Sequence, residues 1–390
     1  SKGHICPKAV ALQDLHNDPD RLRHPVKRTA DGWVPISWDD ALDETARRLH
    51  NIQEVHGKDS VALYFGNPTA HMLATWQLFG HQVLFPIPDV DRTDYFLIIG
   101  GNPLASNGSI MTVPDVKGRL KAIQKRGGKV VVIDPRRTET AKMADEHHFV
   151  RPGTDVYLLL AIAQVLFEEL LVAPGRLDDI LDGKKDMARL VANWKPEKVA
   201  DTVGLPADAI RKLARDIAAA PRAAIYSRVG VTTSAHSTLS AWLVYVINIL
   251  TGNLDREGGV MFTKPAFDIV ALGALSGDTG SFDRYRSRVH GYPEFGGEFP
   301  VTTLADEMLT PGKGQVKAFV SHAGNPVLSC PDGQKLDQAL NNLDFMVSID
   351  FYINETTRHA DIILPPTGQL EHAQFDPIFQ AVAVRNVVKF

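Results

Sequence analysis

The segments YFLIIGGNP at residues 95–103 and KVVVIDPRRT at residues 129–138 decide the fold. Each is a short apolar run, rich in β-branched or aromatic residues, that ends at Gly, Asn, Asp or Pro. A helical pattern over residues 116–126 lies between them and stops at Gly127 and Gly128. Short strands that alternate with helices predict a parallel sheet and therefore an α/β fold.

The same alternation recurs over most of the chain. A helix should begin after Ser37, because Ser37 and Asp40 have the spacing of a capping box. Its buried face would carry Trp38, Ala41, Leu42, Thr45, Leu49 and Ile52. Residues 153–250 should be mainly helical, whereas residues 1–35 and 251–300 resemble loops. Further strands are expected at residues 60–65, 223–227, 316–320 and 344–349, with a helix at 336–343.

Composition and charge limit the possible functions. A chain of 390 residues with 44% hydrophobic and 23% charged residues is typical of a soluble globular protein of two or three domains. A formal net charge of -4 gives no broad basic surface for nucleic acid. The longest apolar runs, residues 156–166 and 239–250, are too short to cross a bilayer and should form buried helices. Two cysteines, Cys6 and Cys330, cannot build a disulfide framework, which favours a reducing, cytoplasmic location.

An internal repeat is the most informative feature of the sequence. In each copy a strand is followed by a Gly-Asn-Pro turn, a helix, a second strand, an aspartate and the motifs Glu-Thr and Ala-Asp. The first copy has these at Gly101-Asn102-Pro103, Asp134, Glu139-Thr140 and Ala144-Asp145, and the second at Gly324-Asn325-Pro326, Asp350, Glu355-Thr356 and Ala360-Asp361. Shared turn chemistry is one explanation, since such turns favour Asn, Pro and Asp. The length of the match favours duplication, with two ligand-binding halves that face one another.

The repeated motifs fall where an α/β protein binds ligands, beyond the carboxyl ends of its strands. Glycine lets the backbone approach a ligand, and the helix that follows offers free N–H groups to a pyrophosphate. The run DPRRT at residues 134–138 adds two arginines that can bind phosphate or stack on a base. Asp155 should begin a helix, where its carboxylate either caps that helix or accepts from the N–H groups of a guanine. Signatures for NAD, P-loop, serine-hydrolase and zinc-protease sites are absent from the sequence.

Several motifs carry a resemblance to a known family. They are Ile5-Cys6-Pro7-Lys8, Asn17-Asp18-Pro19 with Pro25, residues 36–42, the two Gly-Asn-Pro turns, residues 132–136 with Thr138, Ala144-Asp145, residues 151–155, residues 250–253 and residues 360–365. In this order they resemble the molybdopterin oxidoreductases of the dimethyl sulfoxide reductase and formate dehydrogenase type. Each motif alone is weak, but together they are specific and cover nearly the whole chain.

The resemblance implies a bis(molybdopterin guanine dinucleotide) cofactor that carries Mo or W. It places Asn102, Ser106, Asp134, Arg136, Thr138, Gly153 and Asp155 on one dinucleotide, and Gly324, Asn325, Glu355 and Thr356 on the other; Gly230, after the strand at residues 223–227, is a further candidate. It also implies two pseudo-twofold-related, Rossmann-like parallel-sheet domains. Residues 81–300 would form an inserted domain, residues 36–80 and 301–390 a discontinuous one, and residues 1–35 the remnant of an N-terminal iron–sulfur domain.

The resemblance further identifies Cys6 as a ligand of a [4Fe–4S] cluster and Lys8 as a cation between cluster and pterin. Because Cys6 alone cannot hold a four-ligand cluster, three more ligands would lie upstream or be lost, and the chain is expected to be incomplete at both ends. The stretch after Gly66-Asn67-Pro68 is too short to supply the expected side chain that ligates the metal, and His71 and His81 are better explained as ordinary helical residues. Residues 260–264 lack an arginine that formate dehydrogenases carry, so formate is a doubtful substrate.

Three functions are consistent with these motifs. The preferred one is a redox enzyme that acts on a small-molecule substrate and passes electrons through the cluster to an electron-transfer protein or subunit, without a membrane span. The alternative is a non-catalytic subunit of a respiratory NADH dehydrogenase-type complex, which keeps the fold without molybdenum. A simple nucleotide-binding module is the third. Polar residues such as Asp134, Arg136 and Asp155 argue against a purely structural copy.

Overall fold

The computed structural model describes residue 5 and residues 7–65 and 72–373. Within these residues the chain forms two compact units. The inserted unit comprises residues 72–280, and the split unit combines residues 7–65 with residues 281–373. Cys6, the turn at residues 66–68 and His71, on which the predictions about metal ligands depend, lie outside the described residues.

The strands are short. They are β1 (Val26–Thr29), β2 (Gly32–Pro35), β3 (Val61–Phe65), β4 (Ile87–Pro88), β5 (Tyr95–Ile99), β6 (Lys129–Ile133), β7 (Glu146–His148), β8 (Ala223–Ser227), β9 (Val260–Met261), β10 (Phe282–Arg286), β11 (Pro293–Phe295), β12 (Ala318–His322), β13 (Phe345–Ile349) and β14 (Ile362–Ile363).

Helices connect the strands. They are α1 (Pro7–Val10), α2 (Leu12–Asn17), α3 (Trp38–His56), α4 (Met72–Phe79), α5 (Pro103–Ser106), α6 (Val116–Lys125), α7 (Glu139–Met143), α8 (Asp155–Glu168), α9 (Lys184–Val191), α10 (Pro196–Val203), α11 (Ala207–Ala219), α12 (Val229–Thr232), α13 (Ser237–Leu250), α14 (Ile269–Ser276), α15 (Leu304–Leu309), α16 (Pro326–Ser329) and α17 (Gly333–Leu340). Short 3-10 turns lie at Lys58–Ser60, Gly175–Ile180, Val301–Thr303 and Thr357–His359. No helix of the described residues is long and apolar enough to span a membrane.

The inserted unit is built on a parallel sheet with the strand order β7-β6-β5-β8. Alternate residues of each strand point to opposite faces, and both faces are apolar. Leu97 of β5 packs in the cluster that includes α8 and α13, whereas Phe96 and Ile98 pack in the cluster that includes α6. Helices therefore cover both sides, which explains why β5, β6 and β8 are nearly continuous hydrophobic runs, whereas the edge strand β7 is polar.

The open edge of β8 is closed by two asparagine side chains instead of another strand. Asn248 of α13 accepts a hydrogen bond from the N–H of Ile225 at 3.1 Å and donates to its carbonyl at 2.9 Å. Asn253 accepts from the N–H of Ala223 at 3.0 Å. Both asparagines are buried, so these bonds satisfy backbone groups that no water reaches.

The split unit contains a six-stranded sheet with the order β2-β1-β14-β13-β12-β3. The four strands from β14 to β3 are parallel, and the β1–β2 hairpin adds to them antiparallel. Phe319 and Met346 pack on the side of α17, and Phe345 and Val347 pack on the side of α3. The predicted α/β fold with parallel sheets is confirmed.

The internal repeat has a direct counterpart in the strand order. In the inserted unit β5, β6 and β7 lie side by side in sequence order, and β8 pairs with the free edge of β5. In the split unit β12, β13 and β14 have the same arrangement, and β3 takes the place of β8. The two sheets match over four strands, but the sequence repeat covers only three of them. The fourth strand differs in chain position, because β3 comes before the second copy of the repeat whereas β8 comes after the first copy.

Besides missing the short strands β4, β7 and β14, the sequence predictions fail in three places. Residues 1–35 are not only loop, because β1 and β2 form a hairpin whose strands are too short and too exposed to show a pattern. Residues 251–300 contain β9, α14 and the β10–β11 hairpin, and α14 lacks the one-sided apolar pattern of an amphipathic helix. The buried face of α3 is also narrower than the sequence predicted. Only Ala41 is buried there, while Trp38 and Leu42 are nearly half exposed, because the helix packs through a narrow stripe.

Candidate functional site

The Gly-Asn-Pro turn after β5 is fixed by three side chains. Asn102 donates from Nδ2 to Glu139 at 2.6 Å, and its Oδ1 accepts from the hydroxyl of Thr140 at 2.7 Å. The same hydroxyl accepts from the backbone N–H of Leu104 at 3.1 Å. Hydrogen bonding to Asn102 lowers the pKa of Glu139. The turn is thereby tied to the start of α7, the helix that follows the next strand.

The split unit repeats these three bonds. Asn325 donates to Glu355 at 2.6 Å and accepts from the hydroxyl of Thr356 at 2.7 Å. That hydroxyl accepts from the N–H of Val327 at 3.1 Å, and Asn325 lowers the pKa of Glu355. We call these two arrangements the turn locks. Since Asn102, Asn325, Glu355 and Thr356 hold the fold, their predicted role as ligand contacts stays a prediction.

The Ala-Asp motifs are also structural. Asp145 accepts from the N–H of Val130 at 2.7 Å, at the start of β6, and Asp361 accepts from the N–H of Met346 at 2.8 Å, at the start of β13. In both units the aspartate thus joins the third repeated strand to the second. Duplication therefore explains the match better than shared turn chemistry does, because turn preference alone does not fix bonds between distant segments.

The carboxyl ends of β5, β6 and β8 lie level in the inserted unit, with Ile99 beside Ile133 and Ser227. Strand order reverses between β5 and β8, which is where α/β sheets bind ligands. The backbone segments that follow β5 and β8 approach each other closely there. A Cβ on Gly230 would lie 2.7 Å from the Cα of Gly100. Gly230 is therefore required for packing, and its predicted contact with a ligand stays a prediction.

The loop after β6 carries three of the predicted residues. Asp134 accepts from the N–H of Arg136 at 2.8 Å, which folds the loop back on itself. Thr138 is buried and caps α7 by accepting from the N–H of Ala141 at 3.1 Å. The Arg136 side chain is exposed. Ser106, at the end of α5, also lies at this edge of the sheet and is partly exposed.

Asp155 is the most unusual group at this edge. It lies in the first turn of α8 and is only 5% exposed, yet no cation pairs with it among the described residues. Burial raises the pKa of Asp155, and the neighbouring charge of Asp134 raises it further, while a hydrogen bond from its own backbone N–H opposes the shift. Two residues earlier, Gly153 has a φ of +79°, and a Cβ there would meet no atom within 4 Å. A buried acceptor thus lies beside open space.

Four arginines at this edge form no ion pair within 4 Å in the part of the chain that the structure describes, although the charge of Arg136 contributes to the lowered pKa of Glu139. Arg136, Arg137, Arg151 and Arg228 follow β6, β7 or β8, and the first three are exposed. The stem of Arg228 lies against the Gly101 turn, where a Cβ would come within 3.2 Å of it. Arg228 was missed by the sequence reasoning, although its position directly after a predicted strand was an available signal.

The corresponding edge of the split unit has different chemistry. Asp350 accepts from the N–H groups of Phe351 at 2.7 Å and Tyr352 at 3.2 Å, and the two rings pack edge to face. Gly324 lies under the ring of Tyr64, where a Cβ would come within 2.5 Å. Lys8 is exposed on α1.

The described residues contain no group of three or more His, Cys, Asp or Glu side chains that could hold a metal ion. His81 is buried, and its Nδ1 accepts from the N–H of Val83 at 3.2 Å. Burial lowers the pKa of His81, in keeping with a neutral core histidine. The assignment of Cys6 to an iron–sulfur cluster stays a prediction, since Cys6 lies outside the described residues.

Taken together, the duplicated parallel sheets and the polar groups at their carboxyl ends define a protein of the parallel α/β class, in which ligands bind beyond these strand ends. The family model for molybdopterin oxidoreductases matches residues 21–78 and 67–376. The chain belongs to the molybdopterin oxidoreductase family, which confirms the resemblance inferred from the motifs.

Curated relatives have several activities. The molybdopterin-containing subunit of thiosulfate reductase from Salmonella typhimurium is 28% identical over 94% of this chain and 53% of its own length. Formate dehydrogenase H from Escherichia coli is 26% identical over 95% of this chain and 58% of its own length. Acetylene hydratase from Pelobacter acetylenicus shares the fold, with a TM-score of 0.79 at 23% identity over 95% of this chain and 58% of that structure. The chain therefore spans little more than half the length of these relatives.

Proposed function

We propose that this chain is the cofactor-binding portion of a molybdenum- or tungsten-dependent oxidoreductase that holds bis(molybdopterin guanine dinucleotide). Each unit would bind one guanine dinucleotide along the carboxyl ends of its strands. When bound, such a cofactor supplies a metal centre that exchanges electrons with a small-molecule substrate. The protein would supply binding, orientation and exclusion of water.

The observation that carries this proposal is the environment of Asp155. A buried carboxylate normally has a cation or several donors, because burying an unpaired charge is costly. Asp155 is 5% exposed, burial raises its pKa, and the hydrogen bond from its own backbone N–H is the one contact that lowers it. A guanine offers two adjacent N–H groups to such a carboxylate. The residues present therefore fit a guanine nucleotide in the inserted unit.

The arginines support the same proposal. Arg136, Arg137, Arg151 and Arg228 form no ion pair within 4 Å in the described ranges, although other arginines of this unit do, among them Arg92, Arg211, Arg215 and Arg222. Unpaired guanidinium groups at the end of a parallel sheet fit the phosphates of a dinucleotide. Arg136 and Arg151 are exposed and can turn toward such a ligand.

For electron transfer, we propose that Cys6 is a ligand of a [4Fe–4S] cluster and that Lys8 lies between cluster and cofactor. An electron-transfer protein or subunit would take up the electrons. The substrate would be a small molecule. Formate is not favoured, because residues 260–264 have no arginine after Gly258 and Gly259.

Elemental and cofactor analysis of the full-length protein tests the proposal. We expect Mo or W, Fe, a fluorescent pterin after oxidation, and two guanine nucleotides for each metal atom released. A folded protein that contains neither metal nor pterin would instead support the non-catalytic subunit of a respiratory complex. Iron without Mo, W or pterin would contradict the cofactor proposal and leave only the cluster.

A matched pair of variants tests the role of Asp155. Asp155 and Asp186 both lie in the first turn of a helix, α8 and α9, but Asp186 is exposed and pairs with Arg189. Asp155→Asn should reduce guanine nucleotide occupancy roughly 10- to 100-fold, because two hydrogen bonds to a charged acceptor are weakened. Asp186→Asn should leave occupancy unchanged. Equal occupancy in both variants would contradict guanine recognition by Asp155.

A further inference from the structure

The two units differ in the charge they place at the ends of their parallel strands. In the inserted unit, the loops after β6, β7 and β8 carry Arg136, Arg137, Arg151 and Arg228. In the split unit, the described residues that follow β12, β13 and β14, namely 323–332, 350–356 and 364–373, contain neither Arg nor Lys. The repeat therefore conserves the turn locks but not the cations.

One buried arginine approaches the edge of the split unit. Arg21 lies against Gly368, where a Cβ would come within 3.1 Å of its guanidinium group, and over the ring of Phe351 at 5.4 Å. Arg21 pairs with Glu371, and this interaction, together with the N–H of Gly368, holds the pKa of Glu371 at about 2. Its Nε and Nη1 have no hydrogen-bond partner among the described residues, but Arg21 is only 6% exposed and is therefore not an exposed cation at this edge.

The split unit offers uncharged contacts instead. Phe351 and Tyr352 follow β13 directly, with ring centroids 5.3 Å apart. The hydroxyl of Tyr352 donates to Asp18 at 2.7 Å, which fixes the direction of its ring. Aromatic rings and backbone N–H groups suit a base and a sugar, whereas unpaired guanidinium groups suit phosphate.

From this difference we infer that the two units hold their nucleotides by different chemistry. The inserted unit binds chiefly through phosphate, with Arg136 and Arg151 as the main contacts, and the split unit binds through uncharged contacts to base and sugar. This inference rests on the proposed function, since it assumes a guanine nucleotide in each unit. The inference predicts that the affinity of the inserted unit depends on the number of phosphates and on the salt concentration, because exposed charge interactions are screened by ions. The affinity of the split unit should depend on both much less.

Hydrogen exchange read by mass spectrometry tests the two units separately. Full-length protein is prepared without molybdenum cofactor and titrated with guanosine, GMP and GDP at low and high salt. Protection of peptides spanning residues 134–155 reports on the inserted unit, and protection of peptides spanning residues 350–371 reports on the split unit. We expect the apparent affinity measured at residues 134–155 to rise roughly tenfold from guanosine to GDP, and to fall at least as much from low to high salt. The apparent affinity measured at residues 350–371 should change less than about threefold in both comparisons.

Variants assign the difference to the arginines. Arg136→Gln combined with Arg151→Gln should weaken GDP protection of residues 134–155 roughly 10- to 100-fold and leave residues 350–371 unchanged. The control combines Lys125→Gln with Lys198→Gln, which removes two exposed cations from the same unit on α6 and α10 and should have no effect.

Three results decide the matter. Equal phosphate and salt dependence in both regions would overturn the inference and leave the proposed function intact. An arginine variant that behaves like the lysine control would do the same. Absence of protection in both regions with every guanine compound would overturn the proposed guanine recognition itself, and the inference with it.

Discussion

The turn locks allow a quantitative test, because the same hydroxyl can be removed from each unit. Thr140 and Thr356 are fully buried, and each hydroxyl donates to an asparagine and accepts from a backbone N–H. Replacement of either threonine by valine keeps the shape but removes both bonds. The N–H of Leu104 or Val327 is then buried without a described acceptor.

The magnitude follows from the lost bonds. A buried donor left unsatisfied costs about 1–3 kcal/mol, and the lost hydroxyl–amide bond adds about 0.5–1.5 kcal/mol. Thr140→Val should therefore reduce the free energy of unfolding of its unit by about 2–4 kcal/mol. Thr356→Val should cost more by about 1 kcal/mol. After the hydroxyl is lost, the Oδ1 of Asn102 still accepts from the N–H of Thr140 at 3.3 Å. The Oδ1 of Asn325 has no such donor, because the N–H of Thr356 donates to Asn354 at 2.9 Å.

Urea denaturation followed by peptide-level hydrogen exchange measures the loss in each unit separately. Thr140→Ser and Thr356→Ser are the controls, because serine keeps the hydroxyl and loses only a methyl group. The valine variants should be clearly less stable than the serine variants, and each should affect only its own unit. If the valine variants were as stable as the serine variants, the turn locks would contribute nothing and the reasoning would be refuted.

Three further predictions concern the scaffold. Asn248→Leu should lower the free energy of unfolding of the inserted unit by about 2–4 kcal/mol in urea denaturation, because both backbone groups of Ile225 lose their partner; an unchanged midpoint would contradict this. Gly230→Ala should lower the melting temperature more than Gly153→Ala, because a Cβ at Gly230 meets backbone at 2.7 Å, whereas one at Gly153 meets open space and costs only the strain of its φ of +79°; similar melting temperatures would contradict it. Burial raises the pKa of Glu294, but hydrogen bonds from Ser281, Gly297 and Arg284 outweigh this and bring it to about 2. The wild-type protein should therefore be more stable than Glu294→Gln above a pH of about 4.3, the usual pKa of Glu. The difference in urea midpoint between the two proteins should disappear as the pH falls toward 2. A difference that does not depend on pH would contradict the assignment.

The parallel sheets could be predicted because their strands are buried on both faces. Such strands are nearly continuous apolar runs, and β5, β6 and β8 lie where these runs predict them. The strands β7 and β14 were not expected, because three and two residues are too few to form a pattern. Their place is decided by Asp145 and Asp361, whose side chains bind the neighbouring strand.

The sequence by itself determined the α/β class, the repeat and the family, since these depend on local patterns and on the order of motifs. Only the tertiary structure decided what each polar residue does. Asn102 and Thr356 belong to the turn locks, Gly230 is required by the nearby backbone of Gly100, and Asp155 is buried without a cation. The reason is that a hydrogen bond or an unpaired charge depends on segments far apart in the chain, and a single sequence does not encode those distances in any local pattern.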